Sequence, residues 1–158
     1  MDEQGKCGRP GEDAVADVVR GFFHGFMAGR LDRQYPKWRN QPDARLVRAL
    51  AMESYPRMAA TFCHIAFPIL LGSRFDSFEK AQEDLARHRF SDRTPVRLLM
   101  RYACGSRDRF KVMEETYREE MAALLDGRLD ASMERTGTYY RKAVMDSHEA
   151  GFNWPADA

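Results

Sequence analysis

Cysteine is scarce in this chain, and its pattern excludes two common ways of stabilising a small protein. The 158 residues contain three cysteines, Cys7, Cys63 and Cys104, an odd number without the paired spacing of a disulfide framework or a CxxC metal site. A chain of this length buries enough apolar surface to fold as one domain without such cross-links. We therefore expect a protein of a reducing compartment, the cytoplasm.

The chain also lacks an excess of charge of either sign and a long apolar run. It has 25 basic and 24 acidic residues and a net charge of +1, which excludes a globally basic nucleic-acid binder and an acidic tail protein. Its longest uncharged apolar stretch, Met58 to Gly72, is shorter than the roughly 18–20 residues of a membrane span, and Pro68 interrupts it. The beginning of the chain has neither the basic nor the apolar region of a signal peptide. We expect no membrane partner.

Motifs for metal binding and catalysis are missing as well. The sequence contains no ExxH, HExxH or HxxxH pattern, no GxSxG nucleophile turn and no GxxxxGK[ST] phosphate loop. Cys63 lies in the apolar stretch and Cys104 at the predicted end of a helix, settings that disfavour a thiolate. We therefore expect no metal, no cofactor and no assignable catalytic residue, and a binding protein rather than an enzyme.

Apolar residues recur at helical spacing along most of the chain. The first helix is predicted from Asp13 to Ala28, with Gly29 ending it and seven apolar residues at spacings of three and four forming its buried stripe. The stretch Met58 to Leu71 is apolar nearly all round and predicts the central buried helix. The fold class is therefore all-α, a single-domain bundle of six or seven helices around a central apolar helix.

Local capping and breaking signals set the remaining boundaries. Residues 1–11 predict a flexible leader, 12–150 the helical domain and 151–158 a C-terminal tail. A loop is predicted over 30–42, and Pro56 is expected to separate the helix that follows it from the central one. The predicted N-caps are Asp43, Thr94 (before Pro95), Ser106 and Asp130, and the pair Asp76 and Ser77 opens a further helix. The helix that begins at Asp130 has Met133 inward, and Gly105 and Gly127 are the predicted C-terminal stops.

Charge is distributed unevenly along the sequence. Residues 30–57 carry seven bases and three acids, and 74–111 carry ten bases and six acids, so each segment has a net charge of +4. Residues 112–158 carry five bases and ten acids, a net charge of −5. Of the 25 bases, 20 are arginines, which favour planar, bidentate contacts. Either the segments neutralise each other within the fold, or the basic middle of the chain binds an acidic partner.

The segment Gln34 to Asn40 combines two aromatic and two basic residues between turn residues, a composition typical of interfaces. The leading hypothesis is a small helical adaptor, inhibitor or accessory subunit that recognises an acidic protein surface or a nucleic-acid backbone. Its predicted partner-binding residues are Arg33, Tyr35, Lys37, Trp38, Arg39, Arg93, Arg97 and Arg101. In the alternative interpretation, Tyr35 and Trp38 fold back and cap the core.

A second hypothesis places a small-molecule or enzymatic pocket beside the first and central helices. Glycines recur every four residues at Gly21, Gly25 and Gly29, which indicates close approach of a second helix or room for a flat ligand. The predicted pocket residues are Gly21, His24, Gly25, Tyr55 and His64.

Two further alternatives stay open. Residues 78–102 form a helix–turn–helix-like unit with Arg93, Arg97 and Arg101 on its second helix, which would make the protein a DNA-binding regulator. The helix after Ser106 has an acidic outer face that includes Glu115 and Glu119, and docking of this face on the basic middle of a second copy would give a homodimer.

Overall fold

A computed structural model describes residues 10–75, 77–91, 93–129 and 137–155, without the side chains of residues 10–13 and 78. Within these residues the chain forms six α-helices and no strand, as predicted. The predicted cap Asp130 and the predicted inward Met133 lie outside the described residues. The helices are α1 (Pro10–Gln34), α2 (Ala44–Gly72), α3 (Phe78–Arg87), α4 (Val96–Cys104), α5 (Arg107–Leu125) and α6 (Thr138–Phe152).

The most buried helix is α1, which α2, α5 and α6 surround. The predicted apolar stripe of α1 is confirmed, and its fully buried side chains are Val15, Val18, Val19, Phe22, Phe23, Phe26, Met27 and Leu31. The stretch 58–71, predicted as the central buried helix, is buried on one face only, since Ala59, Ala60, His64 and Pro68 of α2 are exposed. This part of α2 carries no charge, but only one of its faces is buried, and the other lies at the surface.

The first helix does not end at Gly29 but continues to Gln34, so the loop spans 35–43 instead of 30–42. Leu31 is fully buried within the added turn, and α6 packs directly against the backbone of Gly29. Tertiary packing thus outweighs the local tendency of glycine to end a helix. At the beginning, α1 includes Pro10 and Gly11, which were predicted to belong to the leader.

Pro56 does not separate two helices, because α2 runs without interruption through both Pro56 and Pro68. A proline inside a helix leaves the carbonyl four residues earlier without its backbone donor. Here those carbonyls belong to Met52 and His64, both of which are exposed, so water can replace the missing donor. The result is one helix of 29 residues instead of two.

The helices α1 and α6 run parallel in very close contact. A Cβ atom added to Gly21 would lie 2.6 Å from the carbonyl oxygen of Tyr140, and one added to Gly29 would lie 2.2 Å from that of His148. On the opposite side of the contact, Gly151 of α6 meets the backbone of Phe26. The interpretation of the glycine spacing as a helix-packing device is confirmed.

Local capping signals are mostly confirmed. The side chains of Asp43, Ser77 and Ser106 accept hydrogen bonds from the first backbone N–H groups of α2, α3 and α5. Gly105 and Gly127 adopt positive φ angles of 89° and 81° at the ends of α4 and α5. Thr94 was predicted as a cap but is not one: Pro95 occupies the N-cap position of α4.

Candidate partner-binding site

Trp38 and Arg39, in the loop after α1, are held by one carboxylate, that of Asp32. Its Oδ1 accepts a hydrogen bond from Nε1 of Trp38 at 2.7 Å and one from the guanidinium of Arg39. Its Oδ2 lies 2.7 Å from Nε2 of His148 on α6. The Arg39 guanidinium also lies over the Trp38 ring, 4.4 Å from its centroid. Asp32 therefore ties the loop to both α1 and α6.

The environment of Asp32 keeps its carboxyl group ionised. Partial burial alone would raise its pKa, but hydrogen bonds from His148, Trp38 and Arg39, together with the positive charge of Arg39, lower the pKa below the ordinary value of 3.8. At neutral pH the negative charge of Asp32 is consequently paired within the loop and does not neutralise the exposed Lys37.

Trp38 is buried, with 5% of its surface exposed, so its prediction as a residue that contacts a partner on the open surface is corrected. The ring folds back onto the core, as the alternative interpretation proposed, because its N–H reaches Asp32. Tyr35, Lys37 and Arg39 stay exposed around it. Backbone hydrogen bonds from Trp38 to Tyr35 and from Gln41 to Lys37 fold the loop into successive turns.

A cleft of about 270 Å³ opens between this loop, the beginning of α2 and the end of α5. Most of its lining is apolar and comes from Leu31, Trp38, Pro42, Leu46, Val47 and Leu129. Among the described residues that line the cleft, Asp43 is the one with a charge. Its carboxylate already accepts the backbone N–H of Arg45 at 2.9 Å as the cap of α2.

Exposed bases adjoin the cleft-lining residues in the sequence. Residues 33–48 contain five bases and one acid, Asp43. Lys37 precedes Trp38, Arg45 lies between Ala44 and Leu46, and Arg48 follows Val47, so each base adjoins a lining residue. Within the described part of the chain, neither Lys37, Arg45 nor Arg48 forms an ion pair. We call residues 33–48 and the cleft the basic end.

The predicted partner-binding residues do not form one surface. Arg93, Arg97 and Arg101 lie on or before α4, which packs on the C-terminal half of α2 through the stacked rings of Phe67 and Tyr102. At 1.5 Å per helical residue, this half is roughly 30 Å from the basic end. Arg97 is moreover paired with Glu114. Arg33 lies at the basic end, where its guanidinium donates to the carbonyl oxygen of Phe152 at 2.9 Å.

The predicted pocket residues are likewise dispersed. Gly21 and Gly25 are covered by α6, which occupies the space proposed for a flat ligand. Tyr55 and His64 are exposed on α2. His24 is buried, with Nδ1 2.9 Å from the hydroxyl of Tyr140 and Nε2 3.1 Å from Oε1 of Glu120. Its polar atoms are therefore engaged between α1, α5 and α6.

The proposed helix–turn–helix unit has a long connection. Residues 88–95 separate α3 from α4, whereas the motif uses a turn of about three or four residues. The hydroxyl of Tyr102 donates to Asp84 at 2.6 Å and the ring of His88 lies against that of Tyr102, which holds the two helices together.

The acidic face of α5 is partly neutralised inside the chain. Glu114 pairs with Arg97, and Glu120 lies beside Arg20 and His24. Within the described residues, Glu115 and Glu119 are exposed and form no ion pair.

The described residues give little support for metal binding or for a reactive cysteine. Among the described residues, no group of three His, Cys, Asp or Glu side chains is arranged to hold a metal ion. Burial raises the pKa of the Cys63 thiol, and raises that of Cys104 to about 11. No helix in the described ranges is long and apolar enough to cross a membrane.

Comparison with protein-family models, curated proteins and solved structures gives no match at a significant level. The site is therefore defined by its geometry alone. Sequence reasoning missed the role of Asp32 and the cleft, because both depend on contacts between segments that are distant in the chain. The signal that could have indicated the role of Asp32 is its position, six residues before Trp38 in the sequence.

Proposed function

We propose that this protein binds an acidic protein partner through the basic end. The proposal keeps the class expected from the sequence, an adaptor, inhibitor or accessory subunit, and restricts its interface to one of the two basic regions. It includes a cytoplasmic setting, in keeping with the free thiols of Cys63 and Cys104.

The observation that carries the proposal is that the acidic side chains at this end have partners within the protein, whereas three of the basic side chains have no carboxylate partner. Asp32 is engaged by three side chains and Asp43 by the backbone of α2, while Lys37, Arg45 and Arg48 have no carboxylate partner among the described residues. An uncompensated cluster of this kind attracts acidic surfaces and accelerates association at low ionic strength. Tyr35, with 47% of its surface exposed, adds a residue type enriched at interfaces.

Charge reversal tests this proposal. The immobilised full chain is used to capture proteins from extract of the native host, with and without nuclease treatment, in parallel with the double variant Lys37→Glu/Arg45→Glu. The control Arg107→Glu/Arg141→Glu makes the same change of net charge at two exposed bases without ion pairs in the described structure. Arg45, Arg107 and Arg141 all lie in first turns of helices, where glutamate is tolerated.

We expect an acidic protein that is captured by the wild type and the control, is lost with the basic-end variant, and is released as salt rises from roughly 50 to 500 mM. Equal capture by all three proteins would contradict the proposal. Capture that disappears after nuclease treatment would instead favour a nucleic-acid backbone.

A second copy of the chain is one candidate for the acidic partner, because Glu115 and Glu119 of α5 are exposed and without an ion pair in the described structure. Sedimentation at low and high salt, with wild type and Glu115→Lys/Glu119→Lys, tests it. A salt-sensitive dimer that the reversal abolishes would identify the partner as a second copy, and a monomer in every condition would exclude it.

A further inference from the structure

The size of the cleft at the basic end limits what it can hold. Its volume is about 270 Å³. A buried apolar cavity of roughly 150 Å³ accommodates benzene, whereas pockets for drug-sized molecules span roughly 300–1,000 Å³. The cleft therefore suits one large side chain better than a nucleotide or a cofactor.

The lining of the cleft favours an apolar occupant. The Trp38 N–H donates to Asp32, and Oδ1 of the exposed Asp43 carboxylate caps α2, so neither polar lining residue has a free donor to offer. Leu46 and Leu129, both half-buried, supply aliphatic surface. A carboxylate or other acceptor placed there would lose its hydration without gaining a donor, because the Trp38 N–H is already engaged.

The surroundings of the cleft favour an acidic chain on either side of that occupant. Lys37, Arg45 and Arg48 adjoin lining residues and have no carboxylate partner in the described structure. Acidic residues that flank an apolar side chain would meet these bases while the side chain entered the cleft. This combination of a buried anchor and a charged rim is typical of protein–protein recognition.

We infer that the cleft receives a single leucine-, phenylalanine- or tryptophan-sized side chain from an acidic segment of the partner. The inference rests on the proposed function and adds to it the chemistry of the recognised segment: one apolar anchor with aspartate or glutamate on both sides.

The test uses a library of random twelve-residue peptides selected on the purified full chain, followed by titration of the enriched peptides against variants. Ala44→Trp fills the cleft from its exposed rim. Ala49→Trp is the matched control, since Ala49 is also exposed on α2 but does not line the cleft. Replacing the anchor residue of the peptide by glycine provides the complementary measurement.

We expect enriched peptides with one bulky apolar residue among acids. Ala44→Trp and the glycine-substituted peptide should each weaken binding roughly tenfold or more, whereas Ala49→Trp should leave the affinity within about twofold.

Each other outcome overturns part of the reasoning. Acidic peptides without an apolar anchor, or equal binding by Ala44→Trp and wild type, would refute the anchor and leave the proposed function intact. Apolar peptides without acids would refute the acidic segment and the proposed function together. A selection that enriches nothing would overturn the inference, and the charge-reversal capture would then decide the proposed function independently.

Discussion

Because α1 and α6 are in close contact, we expect replacing a glycine at this contact by alanine to lower the free energy of unfolding. Helix propensity alone predicts the opposite. Replacing glycine by alanine inside a helix ordinarily stabilises a protein by about 1 kcal/mol. At Gly25 the added Cβ would lie 2.3 Å from Oγ of Ser147, 2.5 Å from the carbonyl oxygen of Val144 and 2.8 Å from its Cα. Two of these atoms belong to backbone, so relief requires α6 to move away from α1.

Overpacking of a tight core costs about 1–3 kcal/mol, and contacts this short place Gly25→Ala at the upper end of that range. Subtracting the gain in propensity leaves a net loss of about 2 kcal/mol, which corresponds to a decrease in Tm of roughly 4–8 °C for a chain of this size. Urea unfolding followed by circular dichroism, together with a thermal scan, measures both quantities.

Gly72→Ala is the matched control, because Gly72 is the last residue of α2 and a Cβ there meets nothing within 4 Å. We expect its free energy of unfolding to be unchanged or raised by up to about 1 kcal/mol. Gly25→Ala with wild-type or higher stability would refute the close packing of α1 on α6.

Three further perturbations address other parts of the structure. Asp32→Asn keeps the shape of the loop but removes the charge, and should cost about 1 kcal/mol at pH 7. Because the pKa of Asp32 is lowered in the folded state, this contribution is complete above the ordinary value of 3.8 and disappears as the pH falls through the folded pKa, so a deficit that persists unchanged at pH 2 would contradict it. Tyr140→Phe removes the hydroxyl bonded to the buried His24 and should cost about 1–2 kcal/mol, whereas Tyr139→Phe at an exposed site should cost almost nothing; equal effects would argue against the hydrogen bond. Cys104, fully buried with a pKa of about 11, should react with iodoacetamide at pH 8 roughly a hundredfold more slowly in the native protein than in urea, and mass spectrometry showing equal rates would exclude its burial.

Features that depend on neighbouring residues were predictable from the sequence. The apolar stripe from Val15 to Met27 has the period of a helix, and it is the most buried surface of the protein. Asp43 and Ser106 cap helices because their side chains bond to N–H groups two or three residues later in the same segment. Such signals need no knowledge of the rest of the fold.

Features that depend on distant segments were not predictable. Gly29 and Pro56 carry genuine local signals for the end of a helix, but packing of α6 on Gly29 and solvation of the carbonyl before Pro56 outweigh them. The burial of Trp38 depends on the hydrogen bond that its N–H donates to Asp32 and on the packing of α6 beside that carboxylate, which the loop sequence does not show. The cleft combines residues of α1, the loop, α2 and the segment that follows α5, so no single stretch of sequence indicates it.

Hydrogen–deuterium exchange of the full chain with its captured acidic partner tests the central claim most directly. If the basic end is the interface, amide exchange should slow across residues 35–47, where the loop and the first turn of α2 border the cleft, and stay unchanged across 93–101 before and within α4. Protection of 93–101 with no change across 35–47 would contradict the account and assign binding to the opposite end of α2.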